Sequence, residues 1–292
     1  MKKHRPIFLI TALVSALLLS SCNGLAPTGG EPISDISKSD TSLFEFDGRR
    51  YTYNGDPDDI RAEEHVITVV KSGSYILSGK LDEGRIVADC IGEVRFILDG
   101  FSGNSSYGAV IESRGGASLV LETAADSVNL LTSKKYGDLL APDGCIVAEG
   151  YLRLCGDGSL TVRSEGDCGV VCLGDAEQIG GKVSLGGKKY GIWTRDSFSF
   201  SGGKLTVISP TGIYADCGGY SAGEVKIIGG TLTAICEDRV IFAGRRVELT
   251  GGSSTYDAPE YLLCKREENG ESVAGEVIET DGFTKIKQLS KK

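Results

Sequence analysis

The chain has 292 residues, 41 of them Gly, roughly twice the usual share of a globular protein. Seven Pro exclude a collagen repeat, and 40% apolar with 24% charged residues exclude a low-complexity disordered chain. A net charge of −9 argues against nucleic acid, whose phosphates need Lys and Arg, and two His cannot build a multi-His zinc site.

Lys2, Lys3 and Arg5 precede an apolar run over residues 7–19, which Leu19-Ser20-Ser21-Cys22 closes. The run is too short to span a bilayer comfortably and reads as a secretory signal. Its end is similar to the lipobox of bacterial lipoproteins. That match makes residues 1–21 a signal peptide and Cys22 a lipidated N-terminus. It holds the protein on the extracytoplasmic side of a membrane. A plain secretory signal with an incidental Cys is the alternative. Removal of residues 1–21 takes the net charge from −9 to −12 and leaves His65 as the one candidate imidazole base. Residues 22–42 are rich in Ser, Pro, Gly, Thr and Asp and read as a flexible tether.

Upstream strands alternate over Val66-Ile-Thr-Val-Val, Gly73-Ser-Tyr-Ile-Leu, Arg85-Ile-Val-Ala, Val94-Arg-Phe-Ile-Leu and Ala117-Ser-Leu-Val-Leu. Residues 125–142 break the rhythm and read as a protruding loop. A repeat then sets in. Gly158-Ser-Leu-Thr-Val162, Gly181-Lys-Val-Ser-Leu185, Gly203-Lys-Leu-Thr-Val207, Gly230-Thr-Leu-Thr-Ala234 and Gly252-Ser-Ser-Thr-Tyr256 share one phrase. Their Gly stand about 22 residues apart, with one longer interval that carries an insertion around Cys217. Gly144-Cys-Ile-Val-Ala, Cys168-Gly-Val-Val-Cys, Tyr190-Gly-Ile-Trp-Thr and Thr211-Gly-Ile-Tyr-Ala form a second recurring phrase. A short strand before each Gly pair forms a third. Three strands of four or five residues cannot fold alone. Stacked one strand spacing apart, they predict an all-β, right-handed parallel β-helix with three-strand units. Gly would supply the corners. An antiparallel sandwich is the rival, and it would make the Gly-pair strands antiparallel. The β-helix domain is expected over 43–264, with a C-terminal strand and polar tail over 265–292, as a monomer.

The stretch Val66-Ile-Thr-Val-Val-Lys-Ser-Gly-Ser-Tyr-Ile-Leu-Ser-Gly-Lys-Leu-Asp-Glu-Gly-Arg-Ile-Val-Ala-Asp89, followed by Val94-Arg-Phe-Ile-Leu-Asp-Gly100, resembles the entry segment of a bacterial carbohydrate-binding β-helix family. A clostridial cellulose- and pectin-binding protein typifies that family. The resemblance covers roughly residues 60–257. It implies extracellular binding of polysaccharide without catalysis, supported by calcium. The family's corners are rich in Asp. Here Asp143, Asp167, Asp216 and Asp238 are the candidate calcium ligands, and Lys189-Tyr190 and Pro210-Thr211 stand where further Asp would be. For each Asp the competing reading is an Asx-turn at a solvated corner.

In the Gly-Ile-x-Ala phrase Ile points inward and the next residue outward. That register gives Val147, Val171, Trp193, Tyr214 and Ile241 as one apolar outward stripe. Trp193 and Tyr214 would stack on pyranose CH faces, helped by Tyr190, Lys188, Lys189 and Arg195. Cover by the long loop or the tail would reduce the stripe to packing. The Cys at 90, 145, 155, 168, 172, 217, 236 and 264 have irregular spacing and read as small core residues. A single inter-unit pair such as Cys145 with Cys168 is the alternative. Two other functions compete. A β-helix lyase or hydrolase of acidic glycans would use Asp196 beside Arg195, or Asp89 with Asp99. An adhesive solenoid would bind protein.

Overall fold

The computed structural model describes residues 41–136, 142–216, 223–268 and 271–288. Among these residues the chain is all β apart from a 3-10 turn at Pro57–Asp59. The strands form because apolar residues alternate. In Lys182–Gly186 Val183 and Leu185 turn inward, and in Ser197–Phe200 Phe198 and Phe200 do so. Each buried Phe contributes about 1.5–3 kcal/mol relative to exposure.

The Gly-pair strands are parallel neighbours. Leu160 lies beside Val183, Val183 beside Leu205, Leu205 beside Leu232 and Leu232 beside Ser254. This register excludes the antiparallel sandwich. The strands do not, however, divide into the three separate sheets of the expected β-helix. Among the described residues there are two sheets, of 16 and 11 strands. Within the larger, ten parallel strands close on themselves as a barrel, and the second sheet stands beside it.

Closure depends on two long strands. Gly92–Ser105 pairs with Ala117–Thr123 through its first half and with Val128–Ser133 through its second. Glu224–Ile235 pairs likewise with Ser197–Phe200 and with Lys204–Ile208. One arc between them is Ala117–Thr123, Leu152–Gly156, Ala176–Gln178 and Ser197–Phe200. The other is Val128–Ser133, Ser159–Ser164, Lys182–Gly186 and Lys204–Ile208. The expectation failed because these strands keep their hydrogen bonds through Gly100 and Gly229-Gly230. Bulges there shift the register instead of ending the strand. The expected loop over 125–142 is corrected too. Val128–Ser133 is a strand of the closed ring, and residues 137–141 lie outside the described residues.

The second sheet runs from Ile60–Glu63 through Val66–Val69, Arg85–Asp89, Ile111–Arg114, Gly144–Ala148, Cys168–Cys172, Tyr190–Thr194, Thr211–Ala215, Arg239–Ala243 and Glu260–Glu268 to Glu271–Ala274. Inner faces of both sheets share one continuous core. Thr41–Gly48 and Arg50–Tyr53 close its first end with an aromatic cluster, Phe44 lying 4.5 Å from Tyr53. At the other end Glu276–Glu279 and Phe283–Lys287 pair with Arg246–Asp257, so pairing continues beyond residue 264.

Candidate functional site

The outer face of the second sheet carries the apolar stripe. In-register pairing aligns Val147, Val171, Trp193, Tyr214, Phe242 and Leu263 on successive strands. Four members of the expected stripe are therefore in place. The fifth is not. Ile241 pairs with Ile213 and is fully buried, while Phe242 occupies the outward position beside Tyr214. A one-residue slip in a strand exchanges its two faces. The clue in the sequence was Ala243, which aligns with Ala215 and not with the residue before it.

Phe242 enlarges the aromatic ridge. Its ring is 4.6 Å from that of Tyr214 at an interplanar angle of 8°, a stacked pair. Tyr190 meets the other side of Tyr214 at 4.6 Å and 42°. Trp193, Tyr214, Phe242 and Tyr190 are all partly buried, so each offers part of a ring to solvent. The Tyr214 hydroxyl donates to Asp216 Oδ2 at 3.3 Å. Burial and the nearby Asp216 carboxylate push the Tyr214 hydroxyl up, so it stays protonated as a donor at neutral pH. Burial raises Tyr190 in the same direction.

One position of the stripe is covered. Val171 is 1% exposed although it faces outward. Tyr136 ties the preceding segment to the start of the Gly144–Ala148 strand: its hydroxyl donates to Gly144 O at 3.0 Å and accepts from the Gly144 N–H at 3.1 Å. Val147, at the end of the stripe, is again partly exposed, and the aromatic part of the stripe begins at Trp193. Of the basic residues expected beside it, Lys189 is held by Asp167 at 2.9 Å. Arg195 is exposed, two residues beyond Trp193, where its N–H donates to Cys172 O.

The four candidate calcium ligands do not assemble. Asp143 is buried, and its carboxylate accepts from the N–H of Asp167 at 2.6 Å and of Tyr136 at 3.3 Å, which is a corner cap. Asp167 is engaged by Lys189. Asp238 is exposed, its N–H donating to Pro210 O. Asp216 stands at the opposite end of the Thr211–Ala215 strand, facing Tyr214. Among the described residues no three of His, Cys, Asp and Glu gather as a cation would require. This donor set does not fit a calcium ion.

The carboxylates weighed for catalysis are also apart. Asp89 ends a strand of the second sheet beside Arg114, whereas Asp99 lies in the barrel beside Ser78. Sequence reasoning missed the carboxylates that do sit close to cations. Glu122 pairs with Arg95 at 2.8 Å, and Glu177 pairs with Arg153 and Tyr151 on the outer face of the barrel. His65 stacks on Tyr107 at 4.6 Å and 3°. Cys90, Cys145, Cys168, Cys172, Cys236 and Cys264 are free thiols, and Cys168 aligns with Gly144 and not with Cys145. Cys22 and Cys217 lie outside the described residues.

The chain is similar to known proteins. A protein of Acetivibrio thermocellus described as a carbohydrate-binding domain-containing protein is 25% identical over 190 residues. That match takes in 62% of this chain and 65% of the relative, so the chain spans less than two thirds of the relative's length. A solved structure of the polysaccharide lyase-like protein from C. thermocellum, a gadolinium derivative, superposes with a TM-score of 0.74. It covers 84% of this chain and 100% of its own at 23% identity, a likeness of fold. The family model described as carbohydrate-binding domain-containing protein matches residues 63–289, nearly all of the described strands. By that match the chain belongs to the carbohydrate-binding domain-containing protein family.

Proposed function

We propose that the chain binds polysaccharide without cleaving it, along the ridge of Trp193, Tyr214 and Phe242. The carrying observation is that row of partly exposed rings on three successive strands. Such rings remove sugar CH faces from water while leaving hydroxyls wet. Arg195 and the Tyr190 hydroxyl flank the row and suit sugar hydroxyls. Neighbouring strands repeat at about 4.8 Å, so the ridge offers one stacking position per strand to an extended chain. Plant-cell-wall glycans such as cellulose and pectin are the class we favour. The description of a relative as carbohydrate-binding supports the partner, and the engaged state of Glu122 and Glu177 supports a role other than catalysis.

The same reading places a lipid on Cys22 and the domain outside the cytoplasm, tethered by residues 22–42, as the lipobox-like Leu19-Ser20-Ser21-Cys22 suggests. Sedimentation with insoluble cellulose, pectate and peptidoglycan, with and without chelator, tests the function. Binding to at least one is expected in both conditions. Release of unsaturated sugar from pectate would overturn the non-catalytic assignment.

A further inference from the structure

A cleft of about 420 Å³ runs along the corner where the barrel strands hand over to the second sheet. Leu81 lies beside Gly103, Gly103 beside Leu131 and Leu131 beside Val162 on four successive strands. The residues that follow them form one column at the corner: Asp82, Asn104, Thr132 and Arg163. The column is acidic at one end and basic at the other, with an amide and a hydroxyl between.

The acidic end is held in place. Asn104 Nδ2 donates to Asp82 Oδ1 at 2.8 Å, and Asn104 Oδ1 accepts from the Glu83 N–H at 3.1 Å. Glu83 takes φ +56°, a left-handed conformation that a side chain disfavours. Its carboxylate accepts from the Ser106 N–H at 3.1 Å and from the Ser106 hydroxyl at 3.2 Å. Such a conformation persists only where its surroundings fix it, and it gathers at ligand clamps. Lys80 offsets Asp82 at 3.0 Å, which leaves the charge of Glu83 in excess. At the basic end Arg163 is exposed, and among the described residues no carboxylate lies within ion-pair distance of it. The nearby Glu165 is taken by Lys134 at 2.6 Å. No aromatic ring and no large apolar side chain lines the cleft, so nothing in it stacks on a sugar. Its two ends carry opposite charge across three strand spacings of about 4.8 Å, or about 14 Å. An extended peptide advances about 3.4 Å per residue, so about four residues span that distance.

We propose that this cleft binds a short extended peptide of about four residues with both ends free, its ammonium against Asp82 and Glu83 and its carboxylate against Arg163. A guanidinium pairs with a carboxylate through two parallel N–H groups, and the partly exposed Thr132 hydroxyl faces the peptide backbone between the ends. The site is separate from the aromatic ridge and stands whether or not the ridge binds sugar. Isothermal titration calorimetry of the full chain with tetra-alanine tests it. Wild type should bind tetra-alanine. Acetylating its N-terminus or amidating its C-terminus should each weaken binding about tenfold, the loss of one charge-assisted contact. Di-alanine, too short to reach both ends, should weaken as much. Arg163→Gln should bind tetra-alanine about tenfold more weakly yet bind the amidated peptide as wild type does. Arg163 has no ion pair to lose, so this variant keeps its fold and its glycan retention. Glu83→Gln should show the same pattern with the acetylated peptide. The proposal is overturned if wild type does not bind tetra-alanine, if blocking either end changes nothing, or if Arg163→Gln binds tetra-alanine like wild type. Displacement of tetra-alanine by trigalacturonate would equally overturn it, because the acidic end repels a polyanion.

Discussion

Replacing Gly203 by Ala tests how the stacked corners hold the barrel together. Gly203 sits at φ +80°, where an L-residue is strained. A Cβ built on it would lie 2.4 Å from Gly181 O and 2.6 Å from Gly180 C, the backbone of the preceding corner. Backbone of a packed sheet cannot swing aside as a flexible side chain can. Gly100 provides the comparison. Its φ is +69°, and nothing lies within 4 Å of its built Cβ. The conformational cost is shared, about 1 kcal/mol at each position. Overpacking adds about 1–3 kcal/mol at Gly203 alone. Gly203→Ala should therefore lose about 2–4 kcal/mol, and Gly100→Ala about 1 kcal/mol. Urea unfolding with equal slopes for the two variants reads the difference as a shift in midpoint. Equal losses would show that corner stacking contributes nothing and that only φ matters.

Two further outcomes follow from the register and from burial. Phe242→Ala should weaken glycan retention with little change in stability, whereas Ile241→Ala should cost about 2–5 kcal/mol and leave retention intact once folded; thermal melts beside sedimentation assays separate them, and the reverse pattern would restore the register in which Ile241 faces outward. Burial pushes the Cys145, Cys172 and Cys236 thiols up to about 12. An acid whose pKa is raised in the folded state holds its proton longer there than when unfolded. Stability from these thiols is thus complete below pH about 9 and is lost as pH rises towards 12. Melts of wild type against Cys145→Ala with Cys172→Ala across that window should show the shallower decline in the variant, and parallel curves would contradict it.

Much of this was legible in the sequence because the information is periodic. Alternation at Val183 and Leu185, Leu205 and Val207, and Phe198 and Phe200 gave the inward faces, and the Gly spacing gave the parallel neighbours. Closure of the barrel was not legible. It depends on hydrogen bonding that persists through Gly100 and Gly229-Gly230, and a Gly pair reads the same whether a strand ends there or bulges. The strand Val128–Ser133 was missed for a related reason: exposed Val128 and Leu130 blur its alternation. Phrase alignment places Trp193 and Tyr214 on the outward face, and a one-residue slip in the same alignment hides Phe242. The role of Asp143 shows a different limit. A corner Asp reads alike as cap or ligand, and only the N–H groups of Asp167 and Tyr136 decide between them.

The most direct test of the central claim is the dissociation constant of wild type, Trp193→Ala and Tyr214→Ala for whichever insoluble glycan retains the wild type, measured by depletion from solution beside far-UV spectra of each variant. Each lost stacking platform should weaken binding about tenfold while the β spectrum is kept, since both rings are partly solvent-exposed and replaceable without opening the core. Unchanged dissociation constants in both folded variants would contradict the assignment of this ridge as the glycan-binding surface.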